Sequence, residues 1–212
     1  MIGHCALRCC RTPCATMRCM ETPIASPADV LDFWFGPTAA RGMKRAEWFR
    51  KNADFDAEIR RRFLSTYESA AGAALDHWME NAADCLALVV VLDQFPRNMF
   101  RGSARAFAAD AKAREVTRHL LAREWDQAMR PVERQFVYLP LEHSENMSDQ
   151  EQCHALMHAL SVFPETADLH DWAMKHLVII RRFGRFPHRN AALGRESTAE
   201  EIEFLAQPGS GF

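Results

Sequence analysis

The chain has no continuous apolar run near the roughly 18 residues that a membrane-spanning helix requires; its densest stretch is "CLALVVVL", Cys85 to Leu92. No membrane association is therefore expected. It also has no surplus of one charge, since 26 Lys and Arg face 28 Asp and Glu for a formal net charge of −2. No global field draws it to a polyanion, and nucleic-acid binding is not expected. The G-x-G-x-x-G, Walker and G-x-S-x-G patterns are absent, so nucleotide-binding oxidoreductase and serine-hydrolase readings lose support. A second β-branched run to pair with "LVVVL" is missing too, which makes that stretch a central buried helix rather than a strand. Beyond the first 19 residues only Cys85 and Cys153 occur. Each sits alone in an apolar helical pattern, which suits a reducing compartment, and so a cytoplasmic location, better than a disulfide framework.

What is present is a chain of 212 residues, 48% apolar, enough to bury a sizeable core in one domain. The expected division is residues 1–25 as an extension and residues 26–212 as a single all-helical domain. The extension, "MIGHCALRCCRTPCATMRC", is rich in Arg and Cys and has no acidic residue before Glu21. Its spacing C-x3-C-C-x3-C-x4-C matches no zinc or iron–sulfur pattern. It reads as a disordered extension, or as sequence upstream of a start at Met17 or Met20, ahead of a transit peptide or a soft metal-binding tail.

Helical signals then follow one another. Ser26 caps and Pro27 opens a helix that runs to Phe35. Ile59, Phe63, Tyr67, Ala70 and Ala74 form a helical stripe, with Arg60, Arg61 and Arg62 assigned to a solvated face. "SARAFAADAKAREVTRHLLAREW" reads as one helix capped by Ser103. "VERQFVYLPLEHSEN" reads as a helix kinked or ended at Pro140. Ser148 and Glu151 have capping-box spacing, as do Thr198 and Glu201. Leu169 to Ile180 form an apolar stripe closed by Gly184. About eight helices with short connections and no credible strand argue for an all-α fold of packed antiparallel hairpins or a short solenoid, although no repeat period is visible.

Two segments, "LDQFPRNMFRG" and "RRFGRFPHRN", each close an apolar helix with Phe-Pro, cations and Asn. Proline stops a helix, and asparagine tolerates a tight turn. The cations Arg97, Arg101, Arg185, His188 and Arg189 are left over. Guanidinium forks at helix ends can hold a carboxylate or phosphate bidentately, so a small anionic ligand is the expected partner if the two segments meet.

Other candidates are weighed against plain packing. Glu142 beside His143 sets a carboxylate next to a group that titrates near neutrality. His176 falls on an apolar stripe and must find a partner, inside the core or facing a polar cavity. Asp93 and Arg97, four apart, read as a structural pair. His154 and His158 share a helical face but lack the glutamate of H-E-x-x-H and read as surface or packing residues. Glu151 with His154 is a lone Glu-x-x-His step, short of a di-iron site. No metal and no cofactor is expected, and whether the protein is an enzyme stays open.

The stretches "VLDFWFG", Trp48–Phe49, "LDQFPRNMFRG", "YLPLEHSEN" and "FGRFPHRNAALGRESTAEEIEFL" together resemble a bacterial family, domain-of-unknown-function family 924. This is an all-helical group in the tetratricopeptide-like superfamily, and the resemblance spans Pro27 to Leu205. It implies a right-handed array of helix pairs and no known activity. It also implies that Arg97, Asn98, Arg101, Glu142, His143, His176, His188, Arg189 and Asn190 line one cavity, with Arg185 beside them. The leading expectation is a pocket for a small anionic ligand, with His143 or His176 as acid/base should catalysis occur. The alternative is a module that presents a groove to a peptide.

Overall fold

A computed structural model describes residues 23–39 and 41–210. The cysteine-rich opening lies outside the described residues. Packing begins at Ala25, whose N–H donates to Thr66 Oγ1 at 2.9 Å.

The described residues contain helices and no strand. The α-helical segments are α1 (Pro27–Phe35), α2 (Ala53–Ala71), α3 (Ala82–Val89), α4 (Phe95–Met99), α5 (Asp110–Ala122), α6 (Pro131–Glu142), α7 (Met147–Leu160), α8 (Leu169–Phe183) and α9 (Ala199–Leu205). A π-helical turn, Val90–Gln94, joins α3 to α4, so Ala82 to Met99 is one rod. Counted as rods there are eight among the described residues.

The rods at odd positions stack on one another: α1 packs on α3, α3 on α6, and α6 on α8. Between them α2 packs on α4, α5 on α3 and α6, and α7 on α6 and α8. This buries one continuous apolar core from Val30 to Ala173, with a small satellite of Ile179, Ile180 and Phe186. Aromatic rings tie the first half together. Trp34 meets Phe95 and Phe136 edge-on at 5.7 and 5.6 Å, and Trp48 meets Phe136 at 4.7 Å. Ridge-forming Leu and Val fill the α3 rod, which is buried on every side from Cys85 to Pro96. No described helix is long and apolar enough to cross a membrane. Cys85 and Cys153 are buried and free.

Several local expectations change here. Proline does not stop the first segment. Pro96 has no N–H to donate, and the helix passes it by widening to a π turn in which the Phe95 N–H reaches Val90 O. Pro140 is likewise inside α6, which continues to Glu142, because one missing donor costs less than unpacking the buried Val137, Leu139 and Leu141. The helix expected from Ser103 is split into a 3-10 turn, Ala104–Phe107, and α5. Asn146 takes the α7 cap from Ser148 by accepting the Ser148 N–H at 2.8 Å. Of the three arginines on α2, exposed Arg61 pairs with Glu58, but Arg60 and Arg62 lie over the Phe100 and Phe33 rings at 5.4 and 4.9 Å. The Ser26 and Thr198 capping boxes form as expected.

Gly184 ends α8 in the left-handed region at φ 69°. A Cβ there would meet nothing within 4 Å, so Gly184→Ala adds backbone strain alone. It should lower stability by about 1 kcal/mol, seen as a lower denaturant midpoint at constant slope. An unchanged midpoint would show that this conformation does not limit the helix end.

Candidate functional site

The ten polar residues singled out from the sequence separate into an outer clamp on each side and an inner group. On one side Asn98 and Arg101 project from the end of α4 onto Asp56, which stands in the first turn of α2. Asn98 Nδ2 donates to Asp56 Oδ1 at 2.7 Å, and Arg101 holds both oxygens at 2.6 and 2.9 Å. On the other side Arg185 holds both oxygens of Glu201, the capping-box residue of α9, at 2.6 and 2.8 Å. Asn190 adds a donor to the same carboxylate at 3.2 Å. The Glu201 carboxyl is held down at about 2, chiefly by the Arg185 hydrogen bonds. These four residues pin α4 to α2 and α9 to the turn after α8. Their carboxylate partners are Asp56 and Glu201 rather than members of the inner group, so the ten residues expected to line one cavity do not form one hydrogen-bonded set.

The inner group is Arg97, Glu142, His143, His176, His188 and Arg189, and here the two punctuated segments meet. The π turn makes the meeting geometry. It places Asp93, with no exposed surface, against the start of the α6–α7 connection. Asp93 Oδ1 accepts from His143 Nδ1 at 2.8 Å, and Gln94 Nε2 donates to Oδ2 at 2.6 Å. Arg97 donates to the backbone oxygen of Asp93 at 2.6 Å, with its carboxylate at 3.1 Å. Arg97 then grips Asp110, at the N-terminus of α5, bidentately at 3.0 and 3.1 Å. Burial alone would raise the Asp93 carboxyl, but Arg97 and then His143 outweigh it and hold it at about 2.

A carboxylate can only accept, so His143 carries its proton on Nδ1 and presents Nε2 as the basic nitrogen. Burial first, and Arg97 second, lower its basicity, while Asp93 works the other way. The ring is half-buried rather than sealed in.

Beside this pair sit three groups that burial keeps neutral. Glu142 lies 3.4 Å from His176 Nδ1 and 4.0 Å from the thiol of Cys153. Burial, with the charge of Asp93 behind it, pushes its carboxyl up to about 8. His176 donates from Nδ1 to Trp172 O at 2.9 Å, and burial takes it down to about 3. His188 falls to about 4, from burial and then from Arg189. The Cys153 thiol is pushed well above its ordinary range by burial, then by Glu142 and Asp149, which leaves it inert as a nucleophile.

Arg189 differs from its counterpart Arg97. It is 6% exposed and lies over the rings of Phe107 and Phe186 at 4.8 and 4.4 Å. One nitrogen donates to the backbone oxygen of His143 at 3.0 Å. The Asp110 carboxylate stops 3.7 Å away, and the buried Nε has no hydrogen-bond partner among the described residues. Burial, then the charge of Arg97, lowers its pKa to about 10. A guanidinium brought out of water without a hydrogen-bonded carboxylate is costly unless something completes it.

Sequence reasoning missed Asp110, named Phe107 and Gln94 without a part in the site, and read the Asp93–Arg97 pair as structural rather than catalytic. The one signal for Asp110 was an acid inside an alanine-rich stretch. Two surface clefts lie apart from the inner group. One, of about 600 Å³, is lined by Asp32, Phe33, Lys44, Arg45 and Arg62. The other, of about 320 Å³, lies beside Arg182, Phe183 and the Arg185–Glu201 clamp.

Against known proteins, residues 30–209 match the family described as "Bacterial protein of unknown function (DUF924)". A solved structure of a protein of unknown function from Agrobacterium tumefaciens is similar at 39% identity and a TM-score of 0.76, covering 85% of this chain and 96% of that one. No curated protein matches. The chain belongs to the DUF924 family.

Proposed function

We propose that this DUF924 protein binds a small anion, a carboxylate or a phosphate, at Arg189, with His143 beside it as a proton acceptor. The observation that carries the reading is the contrast between half-buried Arg97 and buried Arg189. Arg97 is satisfied by two carboxylates, whereas Arg189 has none at hydrogen-bond distance and a buried Nε without a partner. An incoming anion supplies the missing acceptor, and the low dielectric around it strengthens the bond. The Asp93–His143 hydrogen bond fixes the tautomer that a general base requires, which keeps an enzymatic role in view without naming a reaction. The stacked odd-numbered rods are the packing expected of a tetratricopeptide-like array. The enclosure of the inner group favours a small ligand over a peptide laid along an open groove.

Thermal melting of the wild type with phosphate, acetate, malonate and citrate, compared with Arg189→Met, tests this. A ligand at about 100 times its Kd stabilises by about 2.7 kcal/mol and should raise the wild-type melting temperature by several degrees. Arg189→Met should lose that shift. Without ligand it should melt within about 1–2 kcal/mol of wild type, since Met keeps the packing against the two rings and removes an unmatched charge. If none of the four anions shifts the wild type, or if the variant responds equally, the reading fails.

A further inference from the structure

α7 and α8 form a hairpin whose outer face carries a histidine cluster that the inner group does not touch. His154 and His158 are one helical turn apart on α7, and His170 stands in the first turn of α8. The ring of His170 lies 4.7 Å from the His154 ring and 4.7 Å from the His158 ring, centre to centre. Nε2 of His154 faces Nε2 of His170 at 2.9 Å. His158 is exposed, and the other two rings are half-buried.

The two facing nitrogens share one hydrogen, the Nε2–H of one ring donating to the lone pair of the other, and a metal ion can take that hydrogen's place. We propose that His154, His158 and His170 bind a late first-row divalent metal ion, Zn²⁺, Co²⁺, Ni²⁺ or Cu²⁺, on the surface of the α7–α8 hairpin. Neutral imidazole nitrogens suit these ions, and a residue pair at i and i+4 presents two of them from one helix face. Tetrahedral ligands at about 2.0–2.1 Å from zinc stand about 3.3 Å apart, so the facing nitrogens have to separate by only about 0.4 Å. The described residues hold no group of three donors already set around a metal position. The exposed His158 ring therefore completes the site by rotating as the ion arrives, and water takes the fourth position.

The charges around the site bear on its strength. Burial, the two neighbouring histidines and Arg181 hold His154 below its ordinary pKa. Arg181 also repels a cation, whereas Asp171, 3.7 Å from His170 Nδ1, offers the opposite charge behind that ring. The ion crosslinks α7 to α8 and so has a structural role independent of anion binding at Arg189.

Co²⁺ is the discriminating probe, because imidazole ligation gives visible d–d absorption while thiolate ligation adds a near-ultraviolet charge-transfer band. The full chain, stripped with chelator and with its accessible cysteines alkylated, is titrated with Co²⁺ and then melted. The expected result is one ion per chain, visible bands without the thiolate band, and a raised melting temperature. His158→Ala and His170→Gln should each weaken binding at least tenfold, and His77→Ala, at an exposed histidine elsewhere, should leave it unchanged. Melting in chelator shows that the variants are folded. The proposal is overturned if the alkylated wild type takes up no Co²⁺, or if His158→Ala and His170→Gln bind it as tightly as His77→Ala does.

Discussion

Replacing Glu142 by glutamine should make the protein's stability far less sensitive to alkaline pH. In the folded chain the Glu142 carboxyl titrates at about 8, against an ordinary value of 4.5. Between those values the native state keeps a proton that the unfolded chain has released, so native stability falls as pH rises. Each pKa unit corresponds to about 1.4 kcal/mol. The free-energy gap between Glu142→Gln and wild type should therefore widen by roughly 3–4 kcal/mol in favour of the variant between pH 5 and pH 8. Any fixed cost of fitting an amide beside His176 and Cys153 is the same at both pH values and cancels. Urea unfolding at pH 5, 6, 7 and 8 measures the gap, and a gap that stays flat would show that Glu142 is ionised in the folded protein.

The buried histidines act in the opposite direction on the acid side. His176 and His188 titrate at about 3 and about 4 in the folded chain. Below their ordinary value of 6.5 the unfolded chain takes up protons that the native state refuses, so stability falls as pH drops. Together with Glu142 this places the wild-type optimum at about pH 6.5, and the contribution of His188 cancels in the comparison of Glu142→Gln with wild type. Glu142, His176 and His188 are held neutral from both ends of the scale. That is the electrostatic condition in which an entering anion meets Arg189 with little competition.

The fold class was legible because helical periodicity and capping survive in the local sequence. Ser26, Thr198 and Gly184 act where their spacing placed them, and the missing partner for "LVVVL" correctly excluded a sheet. The site was half legible. Phe-Pro followed by arginine and asparagine marked both segments, but local reading assigned proline the role of stopping the helix. A π turn is a change of hydrogen-bond register driven by packing along the whole rod, and no residue type announces it. Nor does sequence spacing tell a cation aimed at a ligand from one aimed at the next helix. Arg101 and Arg185 are the same residue type as Arg97 and Arg189, yet with Asn98 and Asn190 they serve as clamps, because Asp56 and Glu201 stand in the first turns of the helices opposite them. His170 joined His154 and His158 for a similar reason, since only the turn of the α7–α8 hairpin brings them together.

Arg97→Met should be the most destabilising single change at the inner group, and its contrast with Arg189→Met separates structure from site. Arg97 lies between two carboxylates, one fully buried in Asp93 and the other in Asp110, whose side chain is 11% exposed. Removing the guanidinium strands both. Asp93 keeps the His143 and Gln94 hydrogen bonds but loses its cation, and Asp110 is left with Arg189 at 3.7 Å. Breaking a buried pair from one side costs about 3–5 kcal/mol, or roughly a 10 °C fall in melting temperature for a chain of this size. With Arg97 gone, burial is no longer outweighed and the Asp93 pKa rises. The deficit should therefore shrink as pH falls toward the carboxylate range, where the stranded groups take up protons. Adding Asp110→Asn to Arg97→Met should recover part of the loss, because one of the two stranded charges is then removed. Urea unfolding of the single and double variants at pH 5 and pH 7 measures all three effects. A loss below about 1 kcal/mol, or a double variant less stable than the single one, would mean that Arg97 is held by solvent rather than by Asp93 and Asp110, and the contrast with Arg189 would lose its basis.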